Sequence, residues 1–236
     1  MNSTTGPAAE PSAGTELAGR RRGRLWSALD ERLHIRRPLA AVLNKPLPES
    51  IRWYHCFGGM AFFAFVVLAV TGVALAFFYV PSPDHARASI VWIDGSLPLG
   101  ALLRNLHRWS AYAMVVLVVC HMLRVFLQGA YRKPRELNWI VGLVMLLVVL
   151  SFAFTGYLLP WDQKGYWATN VGVNIAGSVP WLGPHLATLL RGGPELGALT
   201  LLRFYAVHVF VLPAVLVVGL VLHFAMVRRQ GIAEPL

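Results

Sequence analysis

The sequence has little charge, and acidic residues are the scarcest part of it. Only 14% of its 236 residues are charged, and 21 lysines and arginines stand against 11 acidic residues. With 56% hydrophobic residues and a mean hydropathy of +0.57, this composition excludes an ordinary soluble domain. Cysteine is scarce too, and no Cys-x-x-Cys-His motif encodes the ordinary attachment of a c-type haem.

Long uncharged runs take the place of the missing charge. They cover residues 53–83, 109–123, 137–161 and 204–227. All but the second exceed the ~20 residues that an α-helix needs to span a bilayer. The second is flanked by Arg104, Arg108 and Arg124, whose long side chains can snorkel or pair with buried anions. We therefore expect four transmembrane helices, the first three at about 56–79, 104–128 and 138–159.

Basic residues mark one side of the membrane. They crowd the first 52 residues, the link at 132–135 and the end of the chain at Arg228 and Arg229, which the positive-inside rule places in the cytoplasm. No basic patch is interleaved with surface aromatic residues, so nucleic acid is not an expected partner. Cys56 and Cys120 fall near cytoplasmic helix ends, where no disulfide is expected.

Three segments outside the predicted spans have a distinctive composition. Residues 1–24 lack apolar periodicity and predict a disordered tail without a signal peptide, whereas 25–43 mix apolar and basic positions as an interfacial helix does. Residues 160–202 are rich in glycine and proline, which favours short surface helices over a fifth span. Residues 25–236 are thus interpreted as one all-α bundle of four transmembrane helices.

Four histidines lie within these apolar runs. His107 and His121 are fourteen residues apart, which is roughly 21 Å along a helix and about 40° around it. His208 and His223 are fifteen apart, roughly 22 Å along and about 60° around. A polar imidazole inside a membrane helix is costly and marks a functional site by default. Two helices with two inward histidines each could hold two planar metal cofactors, one above the other.

Two glycine pairs repeat this spacing. Gly58 and Gly72 in the first span, and Gly142 and Gly156 in the third, are each fourteen residues apart. Glycine often lets membrane helices pack closely. Pairs in step with the histidines favour a second interpretation, in which each glycine removes a side chain where a flat ring system lies against the backbone.

The histidine spacing indicates two bis-histidine haems. Zinc requires tetrahedral ligands close together, whereas six-coordinate haem iron accepts one imidazole on each face. The second and fourth helices both start outside, so His107 pairs with His208 near the outer surface and His121 with His223 near the inner surface. Haem propionates need cationic partners, for which Arg104, Arg108 and Arg124 are candidates or simply helix-end anchors.

These residues stand within motifs that resemble the N-terminal four-helix cytochrome b of quinol-oxidising complexes, and most closely its short b6 form. The resemblance covers about 25–236. Its motifs are Leu106-His107-Arg108-Trp109-Ser110, Lys133-Pro134-Arg135-Glu136-Leu137, Thr155-Gly156-Tyr157-Leu158-Leu159-Pro160-Trp161-Asp162-Gln163, Gly165-Tyr166-Trp167-Ala168, Arg203-Phe204-Tyr205 and His223 through Gly231.

The resemblance implies an electron-transfer subunit. Electrons would pass from an outer quinol site, partly formed by residues 155–168, through two b haems to a quinone at an inner site lined by Arg228. Cys56 matches the cysteine that holds a third haem by one thioether in b6-type proteins; alternatively it is a small buried apolar residue. The implied partners are a Rieske iron–sulfur protein, a c-type cytochrome and a subunit with the remaining cytochrome b helices, in a homodimeric complex.

Two departures from the family pattern matter. Ala40 and Ala41 stand where the b6 type has two aspartates, which leaves the inner proton route open. The Pro-Glu-Trp-Tyr-type segment that completes the outer quinol site is absent, so another subunit would supply it.

We expect a bacterial inner-membrane protein with both termini in the cytoplasm, a thylakoid-type membrane being the other setting. Two alternatives stay open: a dihaem membrane anchor of another quinone-linked dehydrogenase, and a haem-free transporter or scaffold. The matched glycine pairs and family motifs argue against the first, and the histidine spacing argues against the second.

Overall fold

The computed structural model describes residues 52–231. The predicted tail at 1–24, the predicted interfacial helix at 25–43, and Ala40 and Ala41 lie outside the described residues. Every regular element in residues 52–231 is helical.

A 3-10 turn, Trp53–Cys56, leads into the helices. We number these in chain order: α1 Phe57–Ala76, α2 Ala86–Gly95, α3 Gly100–Leu127, α4 Glu136–Leu158, α5 Gln163–Gly177, α6 Gly183–Arg191, α7 Ala198–Ala206 and α8 Leu212–Gln230. A π turn, Val207–Val211, joins α7 to α8 without a break.

Four helical segments are long and apolar enough to cross a membrane, which confirms the predicted spans by length and composition. They are Trp53–Ala76, Gly100–Leu127, Glu136–Leu158 and Ala198–Gln230. The uncharged runs explain them, because a helix satisfies its own backbone hydrogen bonds in a medium without water. The second and fourth helices begin earlier than the apolar runs do, so their first two turns carry polar and basic side chains such as Arg104 and Arg203.

The bundle packs in pairs. Helix α1 packs mainly against α3, and α4 mainly against α8. At mid-height an apolar core cluster joins all four spans, with Ala64, Met114, Val149, Leu212 and Leu216 among its buried members. Met114 is seven residues from both His107 and His121, so this cluster separates the two histidine levels.

The link between the third and fourth spans contains the short helices α5 and α6, as predicted for residues 160–202. Asp162 starts α5 by accepting a hydrogen bond from the Gly165 amide at 2.8 Å, which is ordinary N-cap chemistry. Helix α2, in the other link, was not predicted. Its buried residues Ala86 and Ile93 show why it is helical there, since tertiary packing and not periodicity stabilises it.

Candidate cofactor site

The structure brings the four histidines together as two pairs. His107 and His121 lie on α3, His208 lies in the π turn and His223 on α8. The ring centroids of His121 and His223 are 6.3 Å apart, with their planes at 81°. His107 and His208 are near enough for their charges to interact. We call His107 and His208 the first pair, and His121 and His223 the second pair.

The π turn explains the unequal spacings of fourteen and fifteen. Its Leu212 amide donates to the Val207 carbonyl, five residues back, and such a turn accommodates one residue more than an α-helix. Pro213 follows at once and has no amide to continue the α-helical ladder. The fifteen residues from His208 to His223 therefore act as fourteen, which matches the register of the two histidines on α3.

Threonine hydroxyls orient the first pair. Thr71 Oγ1 donates to the Val67 carbonyl at 2.7 Å and lies 2.8 Å from His107 Nδ1. Thr155 Oγ1 donates to the Ser151 carbonyl at 2.8 Å and lies 3.0 Å from His208 Nδ1. A hydroxyl has one proton, so each must accept its second hydrogen bond from an imidazole Nδ1–H. That tautomer leaves Nε2 of each first-pair histidine as a free ligand atom.

Three of the four matched glycines face imidazole rings. A Cβ added to Gly72 would come 3.1 Å from His107 Cε1, one at Gly58 3.0 Å from His121 Cε1, and one at Gly156 2.7 Å from His208 Cε1. At Gly142 the nearest atom is Met122 Sδ at 3.7 Å, which is ordinary contact. Gly58, Gly72 and Gly156 therefore leave room for the histidine rings themselves.

The second pair lines a mainly apolar cavity. It encloses about 610 Å³ including its open mouth, and Gly58, Gly142 and Met114 also line it. Nδ1 of both second-pair histidines is buried without a hydrogen-bond partner at ordinary geometry in the described part of the chain, and the His223 ring lies near the Asn138 backbone.

Haem fits this donor set. Metal–nitrogen bonds of about 2.0–2.1 Å on both faces of an iron put two imidazole centroids about 6–6.5 Å apart, and the second pair is at 6.3 Å. Within the described residues no group of three or more histidine, cysteine or acidic side chains could hold a metal ion by itself. A ligand set of two imidazoles with an apolar cavity suits a cofactor that brings its own equatorial ligands.

The three predicted arginines have different surroundings. Arg104 forms an ion pair of 2.5 Å with Asp94 of α2. Arg108 is exposed and lies over the Tyr112 ring, 5.8 Å from its centroid. The Nε atom of Arg124, three residues after His121, is buried without a hydrogen-bond partner in the described part of the chain. Arg124 is thus the arginine placed best for a buried anion.

Cys56 is exposed at the start of α1. It stands two residues before Gly58, which faces His121, so it lies at the second-pair end of the bundle. Arg228, in the last turn of α8, is at the same end, five residues after His223. His85 and His185 are exposed on the links, and His55 contacts the Arg52 backbone; none joins the pairs.

The segment 155–168 runs from the end of α4 into α5. Tyr79 braces it by donating to the Leu159 carbonyl at 2.5 Å. Burial, and further the neighbouring Tyr205, raises the pKa of Tyr79 well above its usual range, so the phenol keeps its proton and remains a donor. This contact holds the turn between α4 and α5 against the end of α1.

Sequence reasoning missed Thr71, the contact of Thr155 with His208, and the π turn. One sequence signal does point to the threonines, because each stands directly before a glycine that faces a histidine. Pro213 can distort a helix, but the i→i+5 hydrogen bond that forms the π turn depends on the backbone geometry.

Known proteins resemble this chain over most of its length. A sequence model of the family described as cytochrome b/b6/petB matches residues 42–231. The menaquinol:cytochrome c reductase cytochrome b subunit of Geobacillus thermodenitrificans is 44% identical over 221 residues, covering 90% of this chain and 99% of that protein. The cytochrome b6 of Stigeoclonium helveticum is 42% identical over 213 residues, covering 90% and 99%.

A solved structure supports the same relationship. A chain of a hyperthermophilic respiratory complex III superposes with a TM-score of 0.82 at 32% identity. The match covers 89% of this chain but only 56% of that longer chain.

Proposed function

Because this chain belongs to the cytochrome b/b6 family, we propose that it is the dihaem cytochrome b subunit of a quinol:cytochrome c oxidoreductase, or of one with a plastocyanin-type acceptor. Family membership implies haem b binding, and the four spans make the chain a multi-pass membrane protein. The relatives named menaquinol:cytochrome c reductase subunits support the activity.

The two levels of paired histidines carry this proposal. Each pair draws one imidazole from α3 and one from the segment Val207–Gln230, and the apolar cluster around Met114 and Leu216 fills the space between the levels. Haem held between the two imidazoles of each pair would supply reversible one-electron transfer without a free ligand position for oxygen. Electron transfer along the column is therefore the chemistry that these residues support.

The other residues hold and insulate the cofactors. The threonines fix the first-pair rings, and the core cluster excludes water between the levels. Three of the matched glycines leave room for the rings of His107, His121 and His208. Arg124 is the proposed partner of a propionate at the second pair, because its buried Nε lacks a partner in the described residues and a buried cation needs an anion. At the first pair the proposed propionate partners are Arg104, which would share its charge with Asp94, and Arg108, which is exposed.

The quinone sites follow from the same arrangement. We assign quinol oxidation to the first-pair end, where residues 155–168 form the turn into α5, and quinone reduction to the second-pair end, where Arg228 lies. Cys56, exposed at that same end, is the proposed attachment point of a third haem. The first-pair end faces outward and the second the cytoplasm of a bacterial inner membrane, as the basic links indicate.

The match covers 56% of the solved complex III chain, and a subunit with the remaining cytochrome b helices is one of the proposed partners. A Rieske protein and a c-type cytochrome are the proposed electron acceptors for the outer branch, in a homodimeric complex. The alternative, a membrane anchor of another dehydrogenase, would need no acceptor of this kind.

The test is turnover of the purified complex with a reduced quinol and a c-type cytochrome. We expect quinol to reduce both the c-type cytochrome and the b haems, and His208→Ala to abolish turnover. His185→Ala, an exposed histidine on α6, is the matched control and should keep it. Reduction of the b haems by another dehydrogenase's substrate, with no quinol-dependent reduction of a c-type cytochrome, would favour the anchor.

A further inference from the structure

We propose that Thr71 and Thr155 are positioning residues that lower the reduction potential at the first pair relative to the second. Both hydroxyls contact a ligand Nδ1, at 2.8 Å for Thr71 and 3.0 Å for Thr155. The inference rests on the proposed function, since it needs two haems held by the two histidine pairs.

The direction of these hydrogen bonds is fixed by the helix backbone. Thr71 Oγ1 also lies 3.3 Å from the Leu68 carbonyl, and Thr155 Oγ1 lies 3.3 Å from the Phe152 carbonyl. Each hydroxyl therefore points its proton at carbonyl groups of its own helix and presents a lone pair to the imidazole. The imidazole must donate, and a donating Nδ1–H makes the opposite nitrogen a more basic ligand.

Burial keeps these contacts from exchanging with water. Thr71 is 3% exposed and Thr155 is 6% exposed. Both stand on membrane-spanning helices, on α1 and α4 respectively. A hydrogen bond in such surroundings is stronger than one in water, so its effect on the ligand persists.

The second pair lacks this device. The residues that precede its glycines are Phe57, before Gly58, and Val141, before Gly142, and neither has a hydroxyl. Nδ1 of His121 and of His223 meets no hydrogen-bond partner at ordinary geometry in the residues that the structure describes, although the His223 ring lies near the Asn138 backbone. A hydroxyl acceptor thus stands behind both first-pair ligands and, in the described residues, behind neither second-pair ligand.

This difference has a direction that suits the proposed electron path. A more basic axial ligand stabilises the oxidised iron more than the reduced iron, which lowers the potential. A lower potential at the first pair drives electrons toward the second pair, away from the quinol site. The threonines would therefore give the column its downhill direction.

Alanine and serine variants test this without crowding the ring. A valine methyl would replace the Thr71 oxygen only 2.8 Å from Nδ1, so valine is unsuitable. Thr71→Ala and Thr71→Ser differ from each other only in the hydroxyl, as do Thr155→Ala and Thr155→Ser. Ser151→Ala, an exposed hydroxyl on α4 that bonds only its own helix, is the control.

The measurement is a redox titration of the b haems in the purified complex, followed by absorbance. His208→Ala identifies the first-pair component. We expect each alanine variant to raise the potential of that component alone, both together to raise it further, and each serine variant to restore it. The iron–imidazole vibration in resonance Raman spectra should weaken in the alanine variants and recover in the serine variants.

Equal potentials in the alanine and serine variants would overturn the proposal, and so would shifts that affect both components alike. If one alanine variant loses its haem, the alanine and serine variants at the other threonine still test the proposal. A wild-type complex without two b-haem components would instead refute the proposed function.

Discussion

Gly156→Ala is the sharpest perturbation of the first pair. The new Cβ would lie 2.7 Å from His208 Cε1 and 3.3 Å from its Nδ1. Ordinary contact begins at 3.4 Å, so the ring must retreat by about 0.7 Å, the difference between 3.4 and 2.7 Å. Functional sites tolerate displacements of about 0.5 Å.

The His208 ring has little freedom to retreat. It packs edge-to-face on Phe152 at 5.3 Å between centroids, and its Nδ1 is bound to Thr155. Overpacking costs about 1–3 kcal/mol, against which alanine recovers about 1 kcal/mol of helix propensity. The net destabilisation of about 0–2 kcal/mol leaves the bundle folded and concentrates the damage at the first pair.

The assay is the number of b haems per chain, from a pyridine haemochrome spectrum, together with a redox titration. We expect Gly156→Ala to lose the first-pair haem or to shift its potential, with the second-pair haem unchanged. Gly59→Ala, at an exposed helix position where a Cβ meets no atom within 4 Å, should behave as wild type. Two haems at wild-type potentials in Gly156→Ala would show that the new Cβ does not displace the His208 ring.

Other perturbations probe the remaining parts of the account. His107→Ala should remove the first-pair haem alone in the haemochrome spectrum; loss of both haems, or of neither, would contradict the pairing. Cys56→Ala should abolish haem staining on a denaturing gel and keep two b haems, whereas a stained band that survives would retire the thioether. Deletion of Val211 should convert the π turn to α-helix and retain both haems, because His208 and His223 would then be fourteen residues apart. Loss of the first-pair haem would show that the π-turn backbone itself is needed to position His208. Asp94→Asn should lower the free energy of unfolding by less than about 1 kcal/mol, measured by thermal denaturation, because its ion pair is partly exposed, and a larger loss would assign that pair a structural role.

Much of the bundle could be predicted because apolar runs are a strong constraint. The spans at 56–79 and 138–159 agree with α1 and α4 to within three residues, since a membrane helix must be apolar for its whole length. Helix α2 was missed because ten residues without strong periodicity depend on neighbours that the sequence does not show.

The histidine pairs could be predicted from the sequence, but the π turn and the hydroxyl groups that position them could not. Simple helix arithmetic puts His223 about 60° from His208, and only the backbone shows the π turn that removes the extra residue. The threonine hydroxyls act across helices, from α1 to His107 and from α4 to His208. The ion pair between Arg104 and Asp94 likewise joins two elements ten residues apart, which residue types alone do not assign.

The most direct test of the central claim is the haem content of the purified, membrane-inserted protein. A pyridine haemochrome assay with a reduced-minus-oxidised spectrum should show two b haems per chain, held by the two histidine pairs. A correctly inserted protein without haem would contradict both the two histidine-pair sites and the proposed electron transfer.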